Sequence, residues 1–289
     1  MLIKQLLEKN KPFIEKADFS RKIIGHHPPS KGRCHRVGLF LFLLIVLGLD
    51  IIIFPMKIPL TKYGWPQVLI IPVTVFMVMV FVALSAINFL PTWLFILIEI
   101  LLAALLIISL VFFRDPDRNC PSEANLLLAP ADGRITEIKN IDNVDFAGGK
   151  AIRIGIFLSI FNTHINRSPC NARVEKITYK KGKYKNAMNP ESGRVNEANE
   201  LELIRTDNPE DKLLVRQISG AIARRIVCKT SRGQNLAAGE KFGMIKFGSR
   251  TELYVPVHNS QYEVKCLVKI GDTVKAGLSP LVRYERCQE

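Results

Sequence analysis

The sequence predicts a mainly β (α+β) domain behind an N-terminal α-helical membrane anchor. Three observations carry that expectation. First, charge is segregated: residues 37–113 hold only Asp50, Lys57, Lys62 and Glu99, whereas residues 114–289 hold 29 Lys+Arg and 21 Asp+Glu. The mean hydropathy is +0.16 although 23% of residues are charged, as expected of an apolar block joined to an ordinary globular domain. Second, from residue 126 onward the chain breaks into short runs rich in Leu, Ile, Val and Tyr, bounded by Gly, Pro, Asn and Asp. Third, two turns punctuate those runs, Pro130-Ala131-Asp132-Gly133 and the stretch from Lys269 to Gly277.

Residues 1–36 carry a net charge of +6. Leu2, Ile3, Leu6, Leu7, Phe13 and Ile14 recur near helical spacing among Lys4, Lys9, Lys11 and Lys16, which reads as a basic amphipathic tail suited to a membrane surface. His26-His27-Pro28-Pro29 breaks any helix there, and with no further ligands nearby it reads as a linker.

Three apolar runs follow, at 37–55, 68–89 and 92–113. Each approaches one bilayer thickness, so residues 37–113 are expected to form an anchor of two to three hydrophobic helices. The second and third are nearly contiguous and read as a helical hairpin. The polar stretch before the first run is too long for a signal peptide, and its positive charge places the N-terminus in the cytoplasm. Three complete crossings would put residues 114–289 outside. Arg114, Arg118 and the absence of any cysteine pairing pattern place them inside. The expectation is therefore that one run does not fully cross, or that two form a re-entrant hairpin.

Cys34, Cys120, Cys170, Cys228, Cys266 and Cys287 include no C-x-x-C pair and no zinc spacing. They read as free thiols in a reducing compartment, with no metal site. Residues 114–289 carry a net +8, and an apolar block beside a basic domain points to an anionic membrane surface. The basic residues are spread along the domain and not clustered with aromatics, which excludes a nucleic-acid partner.

Within residues 114–289 the spacing predicts strands over 126–129, 134–138, 151–158, 172–179, 201–205, 213–218, 252–255, 262–268 and 281–284. A helix is expected over 220–230, with Ile222, Ile226 and Val227 as its apolar stripe, and a hairpin over 269–277. The two turns are of the kind found in barrel-sandwich folds, so a barrel-sandwich-like domain is expected.

Four stretches bear chemistry. They are Phe112-Phe113-Arg114-Asp115-Pro116-Asp117-Arg118, then Ala129-Pro130-Ala131-Asp132-Gly133. Next comes the segment running from Phe157 through His164 to Pro169, and last Gly243-Met244-Ile245-Lys246-Phe247-Gly248-Ser249-Arg250. Singly, each reads as something bland: a membrane exit, a turn former, a structural His, a flexible Gly-Ser turn. In this order the chain resembles the phosphatidylserine decarboxylase family, in its short bacterial and archaeal branch. The resemblance spans about residues 105–286 and takes in Asn196-Glu197 and the segment from Gln217 to Val227.

That resemblance implies a proenzyme cut by itself at Gly248-Ser249. Ser249 attacks the Gly248 carbonyl and becomes a covalent pyruvoyl cofactor, leaving a β chain of residues 1–248 and an α chain of residues 249–289 paired through strands. The pyruvoyl group forms a Schiff base with phosphatidylserine, and CO2 leaves to give phosphatidylethanolamine. His164 is the implied base and Asp132 its orienting partner, because a serine hydroxyl is a poor nucleophile until a base takes its proton. Arg167, Arg250 and Arg225, with Arg114 and Arg224, are the candidate partners of the lipid phosphate. Arg167 stands where the long branch of the family carries a second His, and Phe-Gly-Ser-Arg replaces its Leu-Gly-Ser-Thr cleavage sequence. The expected location is the cell membrane, with the catalytic domain on its cytoplasmic face; higher homo-oligomerisation is left open. The alternatives are an archaetidylserine-type decarboxylase, a membrane-anchored lipoyl-like binding module and a serine hydrolase. The module lacks an Asp-Lys pair at its hairpin tip, and the hydrolase lacks a Gly-x-Ser-x-Gly elbow.

Overall fold

The computed structural model describes residues 59–85, 89–121, 123–144, 149–186, 192–207, 211–221, 225–246, 249–257 and 261–287. The basic tail, the first apolar run and the residues Gly248, Arg224 and His258 lie outside these. Two long helices come first, α1 (Gln67–Ser85) and α2 (Thr92–Phe112), and each is long and apolar enough to cross a membrane. At 1.5 Å per residue they span about 28–32 Å, the depth of a hydrocarbon layer. They are rich in Val, Ile and Phe, which disfavour helices in water, but in lipid the helix satisfies every backbone group within its own segment. Leu69, Ile70, Phe76, Leu101 and Leu105 face outward and give the pair an apolar outer surface.

The chain divides into two compact units. Of one, the described residues are 80–85, the end of α1, and 89–99, which take in the start of α2. In the other, Val75 and Met79 of α1 pack on Leu106 of α2. The two ends of the helical pair are clamped together there: Thr61 N–H donates to the Phe113 carbonyl at 2.9 Å, and Leu60 bridges Arg114.

The second unit is mainly β, as expected, and its largest sheet curls half-way into a barrel. Its strands in spatial order are β13 (Thr273–Val274), β2 (Gly133–Val144), β3 (Gly149–Leu158), β11 (Ser249–Pro256), β7 (Lys212–Ile218), β6 (Ala198–Arg205), β5 (Ala172–Lys180) and β9 (Asn235–Leu236), every neighbouring pair antiparallel. Alternation puts Ile154, Ile156, Leu158, Leu201, Leu203, Leu213, Val215, Leu253 and Val255 in one core. A three-stranded sheet joins β1 (Leu126–Leu128), β14 (Pro280–Arg286) and β12 (Tyr262–Cys266), and another joins β4 (Ile165–Arg167), β10 (Lys241–Lys246) and β8 (Arg225–Cys228).

Two local expectations are corrected. Residues 225–228 of the expected helix over 220–230 form β8, because Ile226 and Val227 pair with Ile245 and Met244 of β10. The stretch 269–277 turns at Lys269–Asp272 but is no hairpin: β12 pairs with β14, while β13 pairs with β2. A four-residue helix, α3 (Ser192–Val195), was not foreseen.

Candidate active site

β11 organises the site. It lies between β3 and β7, with Ser249 opposite Leu158 and Arg250 opposite both Phe157 and Ile218. All eight of its residues are buried, because both faces are covered. One face turns Ser249, Thr251, Leu253 and Val255 the same way, and Leu253 and Val255 of that face lie in the apolar core. The other face carries Arg250, Glu252 and Tyr254 in an ion network: Arg250 Nε donates to Glu252 at 2.9 Å, Tyr254 donates to Glu252 at 2.8 Å, and Glu137 joins Arg250 to Arg153.

Ser249 is fully buried, and its hydroxyl has no hydrogen-bond partner among the described residues. A buried hydroxyl left unbonded costs on the order of 1–3 kcal/mol, so such groups mark function or strain. The residue also sits at a junction. The preceding strand, β10, belongs to a different sheet from β11.

His164 opens onto β4, and its carbonyl accepts from Ile245 N–H at 3.1 Å, which ties it to β10 four residues before Ser249. Its ring lies against Phe112 at the end of α2, with centroids 4.5 Å apart. Nδ1 donates to the Asn162 carbonyl at 2.9 Å, which leaves Nε2 as the basic nitrogen of the neutral ring. Burial is the main reason its pKa falls to about 4; the Asn162 bond and the Asp132 charge oppose that shift, and Arg114 adds to it. The imidazole is therefore neutral, the form a general base needs, across the physiological range.

Asp132 is committed elsewhere. Its two oxygens accept from Arg118 at 2.6 and 2.8 Å, and one also accepts the Ala276 N–H at 2.8 Å. It acts on His164 as a nearby charge. The turn places it there because Gly133 passes so close to Phe157 that a Cβ would stand 2.1 Å from its carbonyl oxygen.

The arginines separate. Arg250 is buried between Glu137 and Glu252. Arg167, also buried, donates to the Gly239 and Pro116 carbonyls at 3.0 Å each. Arg114 donates to the Val111 and Phe161 carbonyls. Among the described candidates, only Arg225 presents an exposed side chain, on β8 opposite Lys246.

Sequence reasoning missed Arg118, Lys246, Gln67 and a buried amide chain. In that chain Asn199 donates to Gln217, Gln217 to Asn166 and Asn166 to Thr251, two residues from Ser249. The Asp-Pro-Asp-Arg segment was a signal for Arg118, since a membrane exit does not require it. The partner of Lys246 lies 179 residues away and left no signal.

Residues 105–281 match the family described as phosphatidylserine decarboxylase. Among similar proteins, the phosphatidylserine decarboxylase proenzyme of Desulfotalea psychrophila is 39% identical over 169 residues, covering 58% of this chain and 76% of that protein. Those of Pelodictyon phaeoclathratiforme and Chlorobium limicola are 35% and 36% identical, covering 78% of this chain and 99% and 100% of their own.

Proposed function

The chain belongs to the phosphatidylserine decarboxylase family, and from that membership we propose that it is a membrane-anchored proenzyme that cuts itself between Gly248 and Ser249 and then decarboxylates phosphatidylserine. The observation that carries the reading is the buried, unbonded hydroxyl of Ser249 at the first residue of β11. His164 Nε2 takes the hydroxyl proton, and Ser249 Oγ attacks the Gly248 carbonyl. The peptide becomes an ester, whose elimination releases the carboxylate of residues 1–248. The dehydroalanine this leaves at residue 249 tautomerises to an imine, and water hydrolyses that imine, releasing ammonia and leaving a pyruvoyl group at the new terminus of residues 249–289. Once formed, that group supplies the electron sink for loss of CO2 from a serine headgroup.

The protein's own residues do the rest. Phe112 and burial keep the imidazole neutral. Asp132 contributes charge and, through Arg118, holds its turn. β11 stays in place after the cut because β3 and β7 flank it, and β13 and β14 of the same fragment pair with β2 and β1. The α1–α2 pair returns the chain to the side it left, which fits the β domain on the same cytoplasmic face as residues 59–66.

Mass spectrometry of the purified chain tests this. Wild type should give two fragments divided after Gly248, the smaller lighter than its sequence by the mass of ammonia; Ser249→Ala should stay whole. An intact wild-type chain that still decarboxylates phosphatidylserine would sink the reading. His164→Ala should stay largely uncut.

A further inference from the structure

Lys246 is a buried lysine without a carboxylate. Its Nζ donates to Gln67 Oε1 at 2.8 Å and lies 3.5 Å from the Gly64 carbonyl. No ion pair involves it among the described residues. Arg225 lies directly opposite on β8, so the two side chains emerge on the same face. Lys229 follows that strand and places its ammonium 5.8 Å from the ring centroid of Tyr63, in the 3-10 helix (Lys62–Gly64) that also supplies the Gly64 carbonyl. Three cations thus converge at the foot of α1. Burial lowers the pKa of Lys246, and Arg225 and Lys229 lower it further. Among the described residues no anion balances these charges, and a buried charge is stable when paired.

The place fits one. Lys246 precedes Ser249 by three residues, so their Cα atoms are at most about 11 Å apart. That is within reach of one headgroup running from its amine to its phosphate. The foot of a membrane-crossing helix is also the level at which lipid phosphates lie. Resting on the function proposed above, we propose that Lys246, Lys229 and Arg225 form a subsite for the phosphodiester of the lipid substrate. Lys246 is the buried contact, and the other two are its outer rim. Arg167 and Arg250, already bound within the protein, take no part.

The test compares processed enzymes on two substrates, dioctanoyl-phosphatidylserine and the phosphate-free O-octanoyl-L-serine. In Lys246→Gln the ratio of kcat/KM on the first to that on the second should fall on the order of tenfold or more, with Lys246→Arg recovering most of it. Lys229→Gln and Arg225→Gln should lower the ratio about two- to fivefold, as befits exposed charges. These two also carry the test should Lys246→Gln fail to process. An unchanged ratio, with both substrates slowed alike, would assign Lys246 to bracing α1 and overturn the subsite. Inhibition by inorganic phosphate that weakens in the variants while the ratio stays fixed would mark a free-anion site and overturn the lipid assignment. Fragment masses recorded on the same samples report separately on self-cleavage, so the two proposals fail independently.

Discussion

Ser249 and His164, the nucleophile and base of the proposed self-cleavage, are each shaped by burial in a different way. The serine hydroxyl is left unbonded, and the imidazole is held neutral. The second has a pH signature. An imidazole in the unfolded chain titrates near about 6.5, but His164 in the fold does so at about 4. As pH falls below about 6.5 the unfolded state takes the proton first, so stability is lost progressively down to about pH 4. The denaturation midpoint of the Ser249→Ala chain should therefore fall between about pH 7.5 and 5, and His164→Asn should flatten that slope. Self-cleavage should show no titration near about pH 6.5, because the base stays neutral. Asp132→Asn tests a different bond. It strips Arg118 of a buried partner, so it should destabilise the domain by about 3–5 kcal/mol in denaturant unfolding, beyond any effect on cleavage. Ser249, His164 and Asp132, the residues of the proposed self-cleavage, stand out in the sequence because they lie in short recognisable stretches. Arg118 and Lys246 were not, because what they do depends on Asp132 and Gln67, which only folding brings near.

At the level of elements, alternation was a reliable guide where one face meets the core. The expected runs over 151–158, 201–205 and 213–218 lie within β3, β6 and β7. It was least informative for the small sheet that carries His164. β4 and β8 are three and four residues long, too short to show a period, and β10 contains a glycine. That glycine has a reason: a Cβ at Gly243 would stand 2.3 Å from the Val227 carbonyl, so only a bare backbone lets β10 approach β8. Gly243→Ala should push β10 from β8 and slow self-cleavage, read as retained full-length chain on a denaturing gel. In β11 the scale is set by packing. Leu253→Ala, in the sheet core, should cost about 2–5 kcal/mol in unfolding free energy while leaving Ser249 chemically intact.

For the whole molecule, two long helices and a curled β unit answer to the segregation of charge along the chain. A charge placed on the lipid-facing surface should show it. Leu101→Arg in α2 should weaken insertion by about 3 kcal/mol, seen as protein released from membranes by alkaline extraction. The order of strands has a further consequence. Residues 249–289 supply β11 to the middle of the main sheet, β13 to its edge, and β12 and β14 to another sheet. If the chain is cut as proposed, every small fragment is born already threaded through its own large one. One copy of each follows from one act of translation, and assembly needs no encounter between subunits. The composition of the mature enzyme is then independent of how much of it the cell makes.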